Sequence, residues 1–296
     1  MRGKTEAARK GDPMSTAMRF STMLAVLFSL AFSLEAYAHT VITRISDRQN
    51  VSLAQLANVA GKSDLILIGE SHDNKDHHDL QLDLIRSLWN QKAPMAIGLE
   101  MVQANSQRKL DEWTQGKLSE EAIRAVFSRN WSPDWHLYRD IFIFARDNRI
   151  PMIALNVPIE IVKKVSRQGY ASLTPEERRG LPEGTTCDLS NPQIAVLKKS
   201  YKGVVKHADD GKIFSYFCEA QTVRNSGMAM NMASYLRKHP DTRIVTLTGI
   251  WHAVKYGIPT HLTEFGQLSY TVILPETPEL NSGNATTSEV DYLVEL

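Results

Sequence analysis

Leu65-Ile66-Leu67-Ile68 runs into Gly69-Glu70-Ser71-His72, and far downstream Ile244-Val245-Thr246-Leu247-Thr248 runs into Gly249-Ile250-Trp251-His252. In both stretches a short aliphatic and β-branched run, the composition of a buried strand, stops at a glycine. A histidine follows three residues later, where strand gives way to loop. A third run, Pro94-Met95-Ala96-Ile97-Gly98-Leu99-Glu100, ends on a carboxylate in the equivalent place. Open α/β sheets bind ligands outside the carboxyl ends of their strands, so groups distant in sequence can converge there. His72, His252 and Glu100 are therefore expected in one pocket, with the composition of a metal or acid–base site.

Outward from these strands, strand-like and helix-like segments alternate. Asp73 or Asn74 can cap a helix through about Asn90, with Leu80, Leu84, Ile85 and Leu88 on one face. Ser132-Pro133-Asp134 starts another, carrying Trp135, Tyr138, Ile141, Phe142 and Ala145 at helical spacing. Ile150 to Leu155 reads as a further buried strand, and a long helix is expected from about Gly211 to Lys238. A short helix at Ile258–Phe265 and a strand at Leu268–Leu274 follow the Gly249 motif. This alternation predicts an α/β fold with a mostly parallel sheet flanked by helices and right-handed crossovers. Between about 158 and 210, glycines and prolines punctuate short helical pieces. That stretch reads as a helical insertion near the strand carboxyl ends, a wall or lid for the site. The polar stretch 276–296 reads as a poorly ordered tail.

The beginning of the chain reads as an export signal. Arg2, Lys4, Arg9, Lys10 and Arg19 precede an uncharged run from Phe20 to Leu34, and Ala36-Tyr37-Ala38 has the small-x-small pattern of a cleavage site. The run is short for a membrane span, which wants about 20 apolar residues. Removal of residues 1–38, a free periplasmic or otherwise exported product and a main domain over 39–275 are the expectation. No cysteine stands near the junction to carry a lipid. The formal charge of the 296-residue chain is +1, with no basic block or aromatic–basic interleaving, which argues against nucleic acid as a partner. Its only cysteines are Cys187 and Cys218. In an oxidising compartment they could form a disulfide, and no C-x-x-C redox motif is present.

Several residues near the motifs have plain structural readings. Glu70 suits a supporting hydrogen bond to His72 or a helix cap. Glu100 closes a strand buried along its length, where an unpaired carboxylate would be costly, so it should pair with a histidine or a ligand. His77 and His78 point about 100° apart on a helix and cannot both face one ion. His77 is expected in solvent, while His78 and Gln81 could line the pocket. Met228, Met230 and Met232 suit gaps in a core.

The ordered set of motifs resembles the haem-binding ChaN family, part of the wider Tiki/TraB superfamily that includes erythromycin-esterase-like enzymes. The matching pieces are Gly69-Glu70-Ser71-His72 with His78 and Gln81, Gly98-Leu99-Glu100-Met101, Trp135 with Tyr138-Arg139, and Ala154-Leu155-Asn156-Val157-Pro158. Gln221-Thr222-Val223-Arg224-Asn225 with Met228-Ala229, then Gly249-Ile250-Trp251-His252 before Tyr256-Gly257-Ile258-Pro259, complete the series. The resemblance implies a haem-binding protein of the bacterial envelope in iron or haem uptake, storage or handover. It also implies a haem pair stacked across a homodimer, a tyrosine on iron, and outer-membrane or periplasmic transport partners. Tyr138 is the first expectation for that ligand and Tyr256 its rival, since phenolate ligates haem iron in other proteins. His72, His252, Gln221 and Asn156 would line the haem site, with Arg224 or Arg139 on the propionates; Arg224 could equally pair with Glu100. The alternative is a hydrolase, an esterase or peptidase, with His72 as base and Glu100 orienting it. Its metal-dependent form has a divalent ion on His72, Glu100 and His252.

Overall fold

The structure is a computed structural model that describes residues 40–296 except 184, 193, 196, 197 and 199–210, and the backbone alone at 211–213. The stretch expected to be an export signal, and part of the expected insertion, lie outside the described residues. Eight strands form one sheet in the order β2-β1-β8-β7-β3-β6-β4-β5. They are β1 (Val41–Arg44), β2 (Gln49–Val51), β3 (Leu65–Glu70), β4 (Met95–Gln103), β5 (Met152–Asn156), β6 (Arg243–Gly249), β7 (Tyr270–Pro275) and β8 (Tyr292–Glu295). From β8 to β5 every pairing is parallel, and β1 joins β8 and β2 antiparallel at one edge.

The helices are α1 (Leu53–Ala60), α2 (Lys75–Trp89), α3 (Gln107–Thr114), α4 (Glu120–Asn130), α5 (Trp135–Asp147), α6 (Ile159–Gln168), α7 (Pro175–Arg178), α8 (Gly211–Lys238), α9 (Ile250–Ala253) and α10 (Ile258–Leu262). Local chemistry sets their starts: Asn74 caps α2 by accepting from the Asp76 N–H, and Asp134 caps α5 by accepting from the His136 N–H. Strand side chains alternate between two cores. Ile66, Ile68, Ile97, Leu99, Val245 and Leu247 face a core built with α1 to α5. Leu65, Leu67, Ile244, Val272 and Leu274 face the other, closed by α8, α9 and α10. Met228 and Met232 are sealed in this second core, filling gaps there, with Met232 Sδ accepting from Thr246.

Two expectations change. The 276–296 stretch is folded, not a loose tail. Leu280, Ala285 and Val290 plug the second core, and Tyr292, Leu293 and Val294 are buried in β8, which bridges the parallel strands to β1. Its apolar residues are few but regularly placed, and only the sheet edge beside β7 gives them a partner. In the insertion, the described part contains a regular ten-residue α6 against α8, and a Cys187–Cys218 disulfide ties its loop to α8.

Candidate functional site

The two Gly-x-x-His motifs end adjacent parallel strands, with Glu70 level with Gly249. Each glycine makes room for the other motif. A Cβ on Gly69 would lie 2.5 Å from Leu274 Cδ2 and 3.1 Å from the Ile250 Cα; one on Gly249 would lie 2.8 Å from His72 Cε1. Bare backbone at both positions lets β3 and β6 end flush while their loops cross.

Glu100 reaches this point from the next strand. The pairing of β4 with β5 slips between Leu99 and Gln103, and the Asn156 side chain takes up the Glu100 carbonyl left by the irregularity (2.9 Å). Glu100 is 1% exposed. Gly249 N–H donates to its Oε2 (2.7 Å), Arg224 Nη2 donates to its Oε1 (2.5 Å), and His252 Nε2 stands 3.6 Å from Oε1. Arg224 comes from α8 and is steadied through Nε by Asn156 Oδ1 (3.3 Å). Burial opposes ionisation of Glu100, but His252, Arg224 and His72 together hold it below the usual carboxylate range. His252 is anchored through Nδ1 by Asn225 Oδ1 (2.5 Å), and burial pushes it down to about 4, so it is neutral. Gln221 lies one turn before Arg224 and Asn225 on α8, half-buried.

A second buried carboxylate backs the first. Glu70 Oε1 lies 3.0 Å from His72 Nδ1 and accepts the Tyr138 hydroxyl; Oε2 accepts from Gln81 Nε2 (2.8 Å) and lies 3.2 Å from His78 Nδ1. Burial would raise Glu70, yet these bonds outweigh it and hold the group at about 2. Glu70 therefore supports His72, and the α2 cap is left to Asn74. The His72 side chain is 38% exposed, and its ring stands edge-to-face with that of Trp131, centroids 4.9 Å apart, so the cluster meets solvent at these two rings, which are its mouth in that sense. Despite burial, the Glu70 hydrogen bond and the charges of Glu100 and Glu70 raise His72.

Other assignments are corrected. Tyr138 is fully buried, its ring 4.3 Å from that of His78 and its hydroxyl spent on Glu70. Burial and the Glu70 charge push the phenol far up, so it offers iron neither an open face nor a phenolate. His77 is buried rather than solvated, because its Nδ1 accepts the Ser71 N–H (2.8 Å) where the chain leaves β3. Arg139 pairs with Glu120 on α4. A divalent ion on His72, Glu100 and His252 is not supported: Arg224 and Gly249 occupy the Glu100 oxygens. Among the described residues no three His, Cys, Asp or Glu side chains are arranged to hold a metal. Arg224, Asn225 and Asn156 give the site its shape. Arg224 and Asn156 are singled out in the sequence, whereas Asn225 is given no role of its own although it belongs to the Gln221–Asn225 motif.

Tyr256 lies just past α9, half-buried against the second core, with Asn191 Nδ2 donating to its carbonyl (3.1 Å). Burial, then the Glu289 charge, push its phenol up to about 12.

A sequence model of the family described as haem-binding uptake, Tiki superfamily, ChaN, matches residues 56–262. Among solved structures, Campylobacter jejuni ChaN, described with cofacial haem binding, is 18% identical with a TM-score of 0.69, covering 87% of this chain and 97% of that one. Erythromycin esterase EreC in its open conformation has 14% identity and a TM-score of 0.47 over 86% of this chain and 82% of that one. A curated relative, RETICULATA-RELATED 5, chloroplastic, of Arabidopsis thaliana, is 22% identical over 121 residues, 39% of this chain and 16% of that protein. The chain therefore spans about a sixth of that relative's length. The likeness to ChaN extends to the sheet and its flanking helices, and the family model across residues 56–262 shows that the chain belongs to the haem-binding uptake family of the Tiki superfamily.

Proposed function

We propose that this protein binds haem reversibly, as an exported carrier or store in haem and iron uptake. The observation that carries the reading is the ChaN family match across 56–262, with the ChaN fold over nearly the whole of the solved relative. The donor set fits the group. With Tyr138 enclosed, Tyr256 is the phenol left for ferric iron, and its low-polarity surroundings resist ionisation until a cation is supplied. The haem would bring its iron as that cation and as the redox-active centre. His72 and Trp131 at the mouth, with the partly exposed Arg224, would present rings and donors to the macrocycle and its carboxylates. The disulfide supports an oxidising compartment, in keeping with removal of residues 1–38. A homodimer around stacked haems, and handover to envelope transport components, belong to the same proposal.

Titrating purified protein with haemin tests it. A saturable Soret complex is expected, and Tyr256→Phe should alter the ferric ligand-to-metal absorption while leaving the melting temperature nearly unchanged. An unsaturable, nonspecific spectrum would overturn the reading. N-terminal sequencing from the envelope fraction tests export, and an intact N-terminus in washed membranes would contradict it.

The Glu100–Arg224–His252 centre favours a second reading, since a flat apolar ligand needs no such buried polar group. In that reading His72 takes a proton from water and the protein hydrolyses an ester or peptide. Turnover lost in His72→Ala, without haem binding, would favour it.

A further inference from the structure

Glu70 receives more donors than it needs to hold one strand-end histidine. They come from three places: His72 after β3, His78 and Gln81 on α2, and Tyr138 on α5. Gln81 fixes the orientation of the cluster. Its Nε2 lies 2.8 Å from Glu70 Oε2, and a carboxylate only accepts, so this amide donates there. Gln81 Oε1 is then the atom 3.2 Å from His78 Nδ1, which also faces Glu70 Oε2 at 3.2 Å. Both neighbours of Nδ1 are acceptors, so Nδ1 carries a proton. On the far side of the ring, Nε2 lies 3.4 Å from the backbone carbonyl of His72, a third acceptor, to which a proton on Nε2 would make a long hydrogen bond. The side chain is 1% exposed, and the Tyr138 ring packs against it at a tilt, centroids 4.3 Å apart.

We infer that His78 is a permanently charged, buried imidazolium that balances Glu70 and holds the His72 carbonyl, and is thereby the positioning residue of the mouth. The charges around it close on this assignment. Tyr138 is a neutral phenol, and His77, which accepts the Ser71 N–H, is pushed down by burial. Glu70 and His78 thus cancel, and one carboxylate orients two imidazoles: an enclosed charged one, and the half-open His72 that titrates. Glu70 also raises His78, in the same direction as the geometry, against its desolvation. The inference rests on the proposed function only in taking His72 as a ligand-facing residue.

Long-range proton–nitrogen spectra of the histidine-labelled full chain test it. Both His78 ring nitrogens should show the protonated signature throughout the pH range in which His72 titrates. In His78→Gln, His72 becomes the only imidazole balancing Glu70, and its titration midpoint should move to higher pH. A single-tautomer pattern at His78 in the wild type overturns the inference, as does an unchanged His72 midpoint in the variant. If His78→Gln fails to fold, the wild-type spectrum still decides. Haemin titration of the same samples separates the two ideas: absence of saturable binding would end the carrier reading and leave the His78 assignment standing.

Discussion

Tyr138 illustrates how a residue with an obvious ligand chemistry becomes a support. Its ring packs among Phe127 and His78, and its oxygen donates to a buried carboxylate. Tyr138→Phe should keep the fold and lose about 1–3 kcal/mol, the cost of leaving a buried acceptor short of a donor. Its ferric haem spectrum should match the wild type, in contrast to Tyr256→Phe; chemical melts and haemin titrations check both. Glu70 should shape the acid limb of stability. Its folded value of about 2 lies below the ordinary 4.5, so its contribution is full above the unfolded value and disappears as pH falls from 4.5 towards 2. That difference corresponds to roughly 3 kcal/mol at neutral pH. His252 acts in the same direction from 6.5 down to about 4, because a buried neutral imidazole resists the proton the unfolded chain accepts. Acid melts of Glu70→Gln should therefore start from a lower stability and fall less steeply below pH 4.5.

At the scale of elements, the strand ends are built around two glycines with unequal tolerance. A methyl on Gly249 meets the edge of the partly exposed His72 ring, which can swing away. A methyl on Gly69 meets the Ile250 backbone and a buried Leu274. Gly69→Ala should cost more than Gly249→Ala, about 1–3 kcal/mol as for other overpacked cores. Gly249→Ala should chiefly displace His72, seen as a changed His72 titration in a protein of near-normal melting temperature. The insertion depends on its disulfide: Cys187 and Cys218 are 31 residues apart, and closing such a loop is worth about 3–4 kcal/mol in the chain-entropy view. Reduction should lower the melting temperature and expose residues around 185–195 to protease first. Asn191, which holds the Tyr256 loop, lies in that segment, so haem affinity should fall with it.

For the whole molecule, β8 is what turns a parallel sheet into an eight-stranded one with a two-strand antiparallel edge. It brings Tyr292, Leu293 and Val294 between β7 and β1, so truncation at 275 would leave β7 paired only with β3, β1 only with β2, and the two pairs separated. A chain ending at residue 275 should be recovered largely aggregated, because an unpaired β7 edge beside an uncovered core is a template for association. Soluble, cooperatively melting material from that truncation would show that β8 is dispensable.

The sequence by itself determined the parallel strands, the helices between them and the meeting of the two Gly-x-x-His motifs at neighbouring strand ends. Those depend on local signals: aliphatic runs ended by glycine, helical spacing, and capping residues such as Asn74 and Asp134. Convergence of His72, Glu100 and His252 was also legible, since the topology of an open sheet puts carboxyl ends side by side. What only the tertiary structure decided is which chemical state and partner each group has. Nothing near Tyr138 in the chain reveals that Glu70 lies against its hydroxyl. For Arg224 the sequence leaves a propionate and Glu100 as alternatives, and the structure puts the guanidinium, 124 residues on, against the Glu100 oxygen a metal would need. The 276–296 stretch escaped for the same reason: its apolar residues are too sparse to signal a strand alone, and they become one because the open edge of β7 and the floor of the second core are there to receive them.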